Sequence, residues 1–162
     1  MKEVRQEEAI LLSSDGLEKL EKELERMKSV ERKRVAERIR DAKGFGDFSE
    51  NSEYEDAKNE QAFIEGRIEE LQAILRHADI IDESAIPVDH VGVGSFVKVR
   101  DLETMEEWEC KLVGPVEANP TMDHISNESP IGQALLGSRI GDIVEVSIPA
   151  GMIRYEVLDI HR

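Results

Sequence analysis

The stretch Tyr54 to Ala78, YEDAKNEQAFIEGRIEELQAILRHA, decides the fold. Along it Tyr54, Ala57, Gln61, Ile64, Ile68, Leu71, Leu75 and Ala78 recur at alternating steps of three and four residues, the seam of a coiled coil. Upstream, Leu17, Leu20, Leu24 and Met27 begin the same pattern, which loses phase around Val30 to Arg34 and resumes as Val35, Ile39 and Ala42. The spacing therefore predicts a first helix from about Ser14 to Lys43 with a local defect. Gly44 and Gly46 interrupt it, and the few residues before Glu50 leave room only for antiparallel neighbours. Roughly thirty residues at about 1.5 Å each give a hairpin about 45 Å long. Two helices bury little core, so the hairpin needs a base.

The base is expected in the second half of the chain. Near Ile80 to Pro87 helical spacing gives way to short β-rich runs bounded by Gly, Pro and Asp. The predicted strands are Ser95 to Arg100, Trp108 to Val113, Asp142 to Ile148 and Arg154 to Ile160. Pro149-Ala150-Gly151 reads as a hairpin turn, and Ser129-Pro130 opens a short helix that runs through Leu136 and closes at Gly137. The expected fold class is α+β in two domains: a long antiparallel coiled-coil hairpin over residues 1–80 and a globular α+β domain over 81–162.

Composition narrows the class. The 162 residues contain no apolar run long enough to span a membrane or to form a signal-peptide core, which predicts a soluble, cytoplasmic chain with no membrane partner. The single cysteine, Cys110, permits no intramolecular disulfide and sits in an apolar strand as an expected buried thiol. The four histidines show no ligand spacing. A net charge of −15 repels a phosphate backbone, so contact with nucleic acid has to be guided by a protein partner.

Two local features carry chemistry. The first is the turn Asp47-Phe48-Ser49-Glu50-Asn51, which places two carboxylates at the end of a narrow rod. As local sequence, Asp47 with Glu50 three positions on resembles a capping box, and acids suit a helix amino terminus. As a site, the acids need a partner, because Mg²⁺ takes about six oxygens and two side chains cannot supply them. The second is a basic run, Arg32, Lys33, Arg34, Arg38, Arg40 and Lys43, joined by Lys58 on the second helix. Glu31, Glu37 and Asp41 interleave with it and can pair along the helix, so a solvated face and an RNA-contacting stripe both fit.

These residues resemble a family, the bacterial Gre transcript cleavage factors, and the GreA type most closely. Gly46-Asp47-Phe48-Ser49-Glu50-Asn51-Ser52-Glu53-Tyr54 is similar to the family's tip, followed by Ala57-Lys58, Gln61 and Glu65-Gly66-Arg67-Ile68. Gly16-Leu17-Glu18-Lys19-Leu20 and Lys28-Ser29-Val30 resemble its first helix. Val113-Gly114 with Glu117-Ala118, Ile125-Ser126 with Ser129-Pro130, and Ala134-Leu135-Leu136-Gly137 with Gly141-Asp142 follow in the family's order.

The resemblance implies an FKBP-like carboxy-terminal domain, a monomer, and bacterial RNA polymerase as partner. The globular domain would dock at the rim of the secondary channel and the coiled coil would pass down it. There the factor would stimulate hydrolysis of the nascent RNA 3′ end in backtracked complexes, without being an enzyme itself. Asp47 and Glu50 would hold a loosely bound Mg²⁺ jointly with polymerase, one of them orienting or deprotonating the attacking water. Lys43 and Lys58 fall where family members contact the extruded RNA, and Ile125, Ser126, Ser129 and Pro130 match a polymerase-docking segment. Phe48, beside Phe45, stands where the family usually has an aliphatic residue. Three other functions are compatible with parts of the chain: a channel-blocking antagonist of the same fold, a prolyl isomerase, and a coiled-coil adaptor. The intact Asp-x-x-Glu argues against the first. Isomerase sites are lined by aromatics, and the domain has only Phe96, Trp108 and Tyr155, which argues against the second.

Overall fold

In the computed structural model, which describes residues 9–44 and 52–162, the three-four seam becomes a helical hairpin. Its first limb is α1 (Ser14–Arg26), a π-helical turn (Met27–Glu31) and α2 (Arg32–Gly44). Arg26 and Arg32, which bound the π turn, both keep right-handed helical dihedrals, so the limb is one continuous helix. The π turn explains the loss of phase. From Met27 to Val35 the apolar pattern carries one residue more than alternating steps of three and four allow, and a π turn absorbs one extra residue. The second limb is α3 (Ser52–Arg76).

Ion pairs give the direction of packing. Arg32 reaches Glu65, Arg38 reaches Glu60 and Glu53, and Arg67 reaches back to Glu23. The partner number falls as the first number rises, so the limbs are antiparallel. Val35, Ile64 and Ile68 form the buried centre of the contact, with Leu24, Met27 and Ile39 packed against it. Along α3 the buried positions are Ala57, Ile64, Ile68, Leu71 and Ile74. Four expected seam positions differ: Tyr54, Gln61 and Leu75 are only half-buried, and Ala78 has left the helix for a strand.

That strand packs with the globular part of the chain although it precedes the expected boundary at residue 80. β1 (Ile10–Leu12) pairs in parallel with β2 (Ala78–Ile80), Ile10 opposite Ala78 and Leu12 opposite Ile80. The pairing draws both segments into the carboxy-terminal unit, so one compact unit is Leu17–His77 and the other joins Ala78–Arg162 to the chain up to Gly16.

The second unit is α+β. β3 (Phe96–Asp101), β4 (Glu107–Val113), β6 (Ile143–Ile148) and β7 (Gly151–His161) lie where alternation predicts strands. A three-residue strand, β5 (His124–Ser126), completes a sheet of order β5-β4-β3-β7-β6. β5 runs parallel to β4 and the other pairs are antiparallel. Ile148 pairs with Gly151, which leaves Pro149 and Ala150 as the turn between β6 and β7. One face of the sheet is the core, with Val97, Val99, Cys110, Leu112, Leu135 and Val157 fully buried or nearly so. Burial pushes the Cys110 thiol up to about 12, so it stays protonated and unreactive at neutral pH. α4 (Pro130–Leu135) is capped by Ser129 and followed by Gly137 at φ +81°. It abuts β5 so closely that a Cβ on Gly132 would lie 2.0 Å from the Ser126 carbonyl oxygen.

Candidate functional site

Asp47 and Glu50 lie outside the described residues, as do Phe45, Phe48, Ser49 and Asn51 and the capping box expected there. What the structure supplies is their frame. α2 ends at Gly44 and α3 begins at Ser52, so the segment bearing both acids joins two antiparallel helices that are packed against each other. Glu53 and Glu55 occupy the first turn of α3, where negative charge suits the helix dipole. Among the described residues, no group of three or more His, Cys, Asp or Glu could hold a metal ion.

The basic run divides into two sets. Arg32 forms a forked pair with Glu65 at 2.8 and 2.9 Å. Arg34 bonds Glu60 and, at 3.0 Å, Glu31, while Arg38 bonds Glu60 at 2.6 Å and Glu53 at 3.2 Å. The sequence predicts pairing along the helix from Glu31, Glu37 and Asp41; among the described residues only Glu31 provides it, and the other partners come from α3. The antiparallel register explains this, because it sets Glu53, Glu60 and Glu65 beside the arginines of α2. The Arg34 guanidinium, then that of Arg38, holds the Glu60 carboxyl below the usual range, and Arg32 does the same for Glu65.

Lys33, Arg40 and Lys43 form the second set. Among the described residues no ion pair engages them, and all three are exposed. At about 100° per residue, Lys33 and Arg40 share a side of α2 opposite the buried Val35 and Ala42, with Lys43 adjoining. Lys58 is exposed on α3 and donates to Gln61 at 2.9 Å. Lys43 and Lys58 are thus available to a partner, whereas Arg32, Arg34 and Arg38 hold the hairpin together.

In the globular unit the four residues matched to a docking segment form one corner. Ile125 and Ser126 are half-buried on β5. The Ser129 hydroxyl donates to the Ser126 carbonyl at 2.6 Å and accepts from Gly132 N–H at 3.1 Å, and Pro130 opens α4. The Ser126 hydroxyl accepts from Glu128 N–H at 3.1 Å. The local reason for Ser129-Pro130 is therefore a helix start, and the corner it builds stays partly exposed. A nearby cleft of about 530 Å³ is lined by Ile81, Ile86, Phe96, Lys111, Leu112 and Arg162, among others, and Phe96 is its single aromatic. That ring is stacked on His161 at 4.9 Å, while Trp108 and Tyr155 pack against the core. The three aromatics do not converge on one pocket.

One constellation escaped the reading of the sequence. The Ser13 N–H donates to Glu117 at 2.8 Å, its hydroxyl donates to the same carboxylate, and that hydroxyl also accepts from Gly16 N–H at 3.0 Å. Ser13 before an acidic first turn is a readable helix cap. Its partner, 104 positions away, leaves no local signal.

Comparison with known proteins extends over nearly the whole chain. The family model described as "Transcription elongation factor, N-terminal" matches residues 10–80, and "Transcription elongation factor, GreA/GreB, C-term" matches residues 86–162. The chain is 55% identical over 153 residues to transcription elongation factor GreA of Acetivibrio thermocellus, spanning 94% of this chain and 96% of that one. It is 54% identical over 153 residues to GreA of Thermoanaerobacter pseudethanolicus, spanning 94% and 98%. Among solved structures, GreA factor homolog 1 (Gfh1) of Thermus thermophilus matches at 35% identity over 95% of this chain and 99% of its own, with a TM-score of 0.44. The chain therefore belongs to the GreA/GreB family of transcription elongation factors.

Proposed function

We propose that this chain is a transcription elongation factor that enters the secondary channel of bacterial RNA polymerase and stimulates cleavage of the RNA 3′ end in backtracked complexes. One observation carries the reading: a family match over both domains coincides with an antiparallel hairpin whose connecting segment bears Asp47 and Glu50. The globular unit, read as FKBP-like, docks at the channel rim through the corner of Ile125, Ser126, Ser129 and Pro130. The chain acts as a monomer, and polymerase is the enzyme whose own hydrolysis it assists.

Asp47 and Glu50 add carboxylate oxygens to the polymerase centre, and one of them orients the attacking water or takes its proton. As water bonds to phosphorus, the bond to the leaving 3′ oxygen breaks, and the retained RNA ends in a new 3′ hydroxyl. Asp47 and Glu50 would hold magnesium jointly with polymerase, and the bound ion would supply charge stabilisation for the hydrolysis. The donor set fits sharing, because two carboxylates fall short of the roughly six oxygens Mg²⁺ takes. Lys43 and Lys58, exposed and free of ion pairs among the described residues, hold the phosphates of the extruded RNA.

The test adds the chain to backtracked polymerase complexes. The expected result is faster release of 3′ RNA and restored extension, with Lys43→Ala and Lys58→Ala binding polymerase normally but cleaving more slowly. Binding without cleavage would make the chain a channel-blocking antagonist. Equal activity of both lysine variants would remove the RNA-holding role.

A further inference from the structure

The first turn of α1 is held from a distant part of the chain. Glu117 closes a 3₁₀ turn, Pro115–Glu117, and its carboxylate takes the Ser13 N–H at 2.8 Å together with the Ser13 hydroxyl. Ser13 in turn caps α1 through Gly16 N–H at 3.0 Å. Negative charge at a helix amino terminus is favourable, so Glu117 both orients the cap and complements the dipole.

Packing at this corner leaves no slack. A Cβ on Gly16 would sit 2.3 Å from a Glu117 carboxylate oxygen, and one on Gly114 would sit 2.2 Å from the Leu11 carbonyl oxygen. Both glycines allow the chain before α1 to press against the segment Gly114 to Glu117. That 3₁₀ turn also packs against β5, which carries Ile125 and Ser126. A single short turn thus touches Ser13 and Gly16, where α1 begins within this same unit, and the strand assigned to docking.

We infer that Glu117 is a positioning residue for transcript cleavage, clamping the first turn of α1 to the turn that supports the docking strand. The consequence for cleavage rests on the function proposed above, whereas the clamp is a property of the free chain and can be measured without polymerase. A plain helix cap would affect stability alone; a positioning clamp also affects the rate of a fully docked factor.

The experiment compares wild type with Glu117→Ala and Gly16→Ala in three measurements: amide hydrogen exchange of the free chain, polymerase binding, and cleavage rate at saturating factor. Glu117→Ala is expected to speed exchange of the first amides of α1 roughly tenfold or more, with α3 unchanged. Binding should stay within about twofold while the saturated cleavage rate falls roughly tenfold or more, the pattern of misplaced rather than missing groups. Gly16→Ala should reproduce it although alanine is the better helix former, because its Cβ displaces the Glu117 carboxylate. Unchanged exchange would overturn the clamp. Faster exchange with unchanged saturated cleavage, or binding lost in parallel with cleavage, would overturn the positioning role. A wild-type chain whose α1 amides are protected and respond to Glu117→Ala, but which gives no cleavage, would fail the functional reading and the positioning role with it, leaving the clamp as a structural cap.

Discussion

Glu60 sits between two guanidinium groups, accepting from Arg34 and Arg38 with its side chain about 25% exposed. Those partners hold its pKa below that of an ordinary glutamate, Arg34 contributing first. A carboxyl whose folded-state pKa is depressed stabilises the fold fully above its unfolded value, and that stabilisation disappears as pH falls through the folded value. The unfolded value is about 4.3. Thermal melts followed by far-UV circular dichroism should therefore show Glu60→Gln melting a few degrees, in order of magnitude, below wild type near neutrality. The gap should close as pH drops below about 4. A gap of constant size from about pH 7 to pH 3 would mean that Glu60 contributes through packing and not through its charge.

At the scale of the element, the π turn is the feature that lets a sequence with one extra residue keep a continuous seam. Val30 lies in that turn and is exposed, so removing it should convert the turn to α-helix and leave Leu24 and Val35 facing α3. Deleting Ala36 instead shifts every later residue of α2 by about 100° and turns Ile39 and Ala42 away from the partner helix. Helical signal and a cooperative melt should survive the first deletion and not the second. Equal loss in both would show that the π turn has a role beyond phase. The same comparison shows what the sequence makes legible. Ile64, Ile68 and Leu71 announce their helix because their period is local, and β3, β4, β6 and β7 announce themselves through runs of six residues or more. β1, β2 and β5 have three residues each, too few to establish an alternation, and β1 finds its partner across the whole hairpin. The cross-helix pairs of Arg32, Arg34 and Arg38 were illegible for a related reason, since they depend on the register of the hairpin and not on spacing within one helix. Asp47 and Glu50 could be singled out from the turn that bears them, but only resemblance to a family gave two acids in a turn a chemical role.

For the molecule as a whole, charge and architecture point the same way. A chain with a net charge of −15 has no general attraction for nucleic acid, yet its hairpin leaves Lys33, Arg40, Lys43 and Lys58 exposed and outside ion pairs among the described residues, while Arg32, Arg34 and Arg38 pair with its own carboxylates. On the proposed function, RNA would be met only where a protein partner brings the two together. On the same proposal, the ion-paired hairpin would do the reaching and the sheet-based unit the docking. The most direct test of that account is the rate of RNA cleavage in backtracked bacterial polymerase complexes at fixed Mg²⁺, comparing wild type with Asp47→Ala and Glu50→Ala, each added at saturation. The account predicts strong stimulation by wild type and a loss of roughly a hundredfold in each variant, with polymerase binding preserved. Variants that cleave as fast as wild type would contradict it, and would return the two acids to the role of a helix cap.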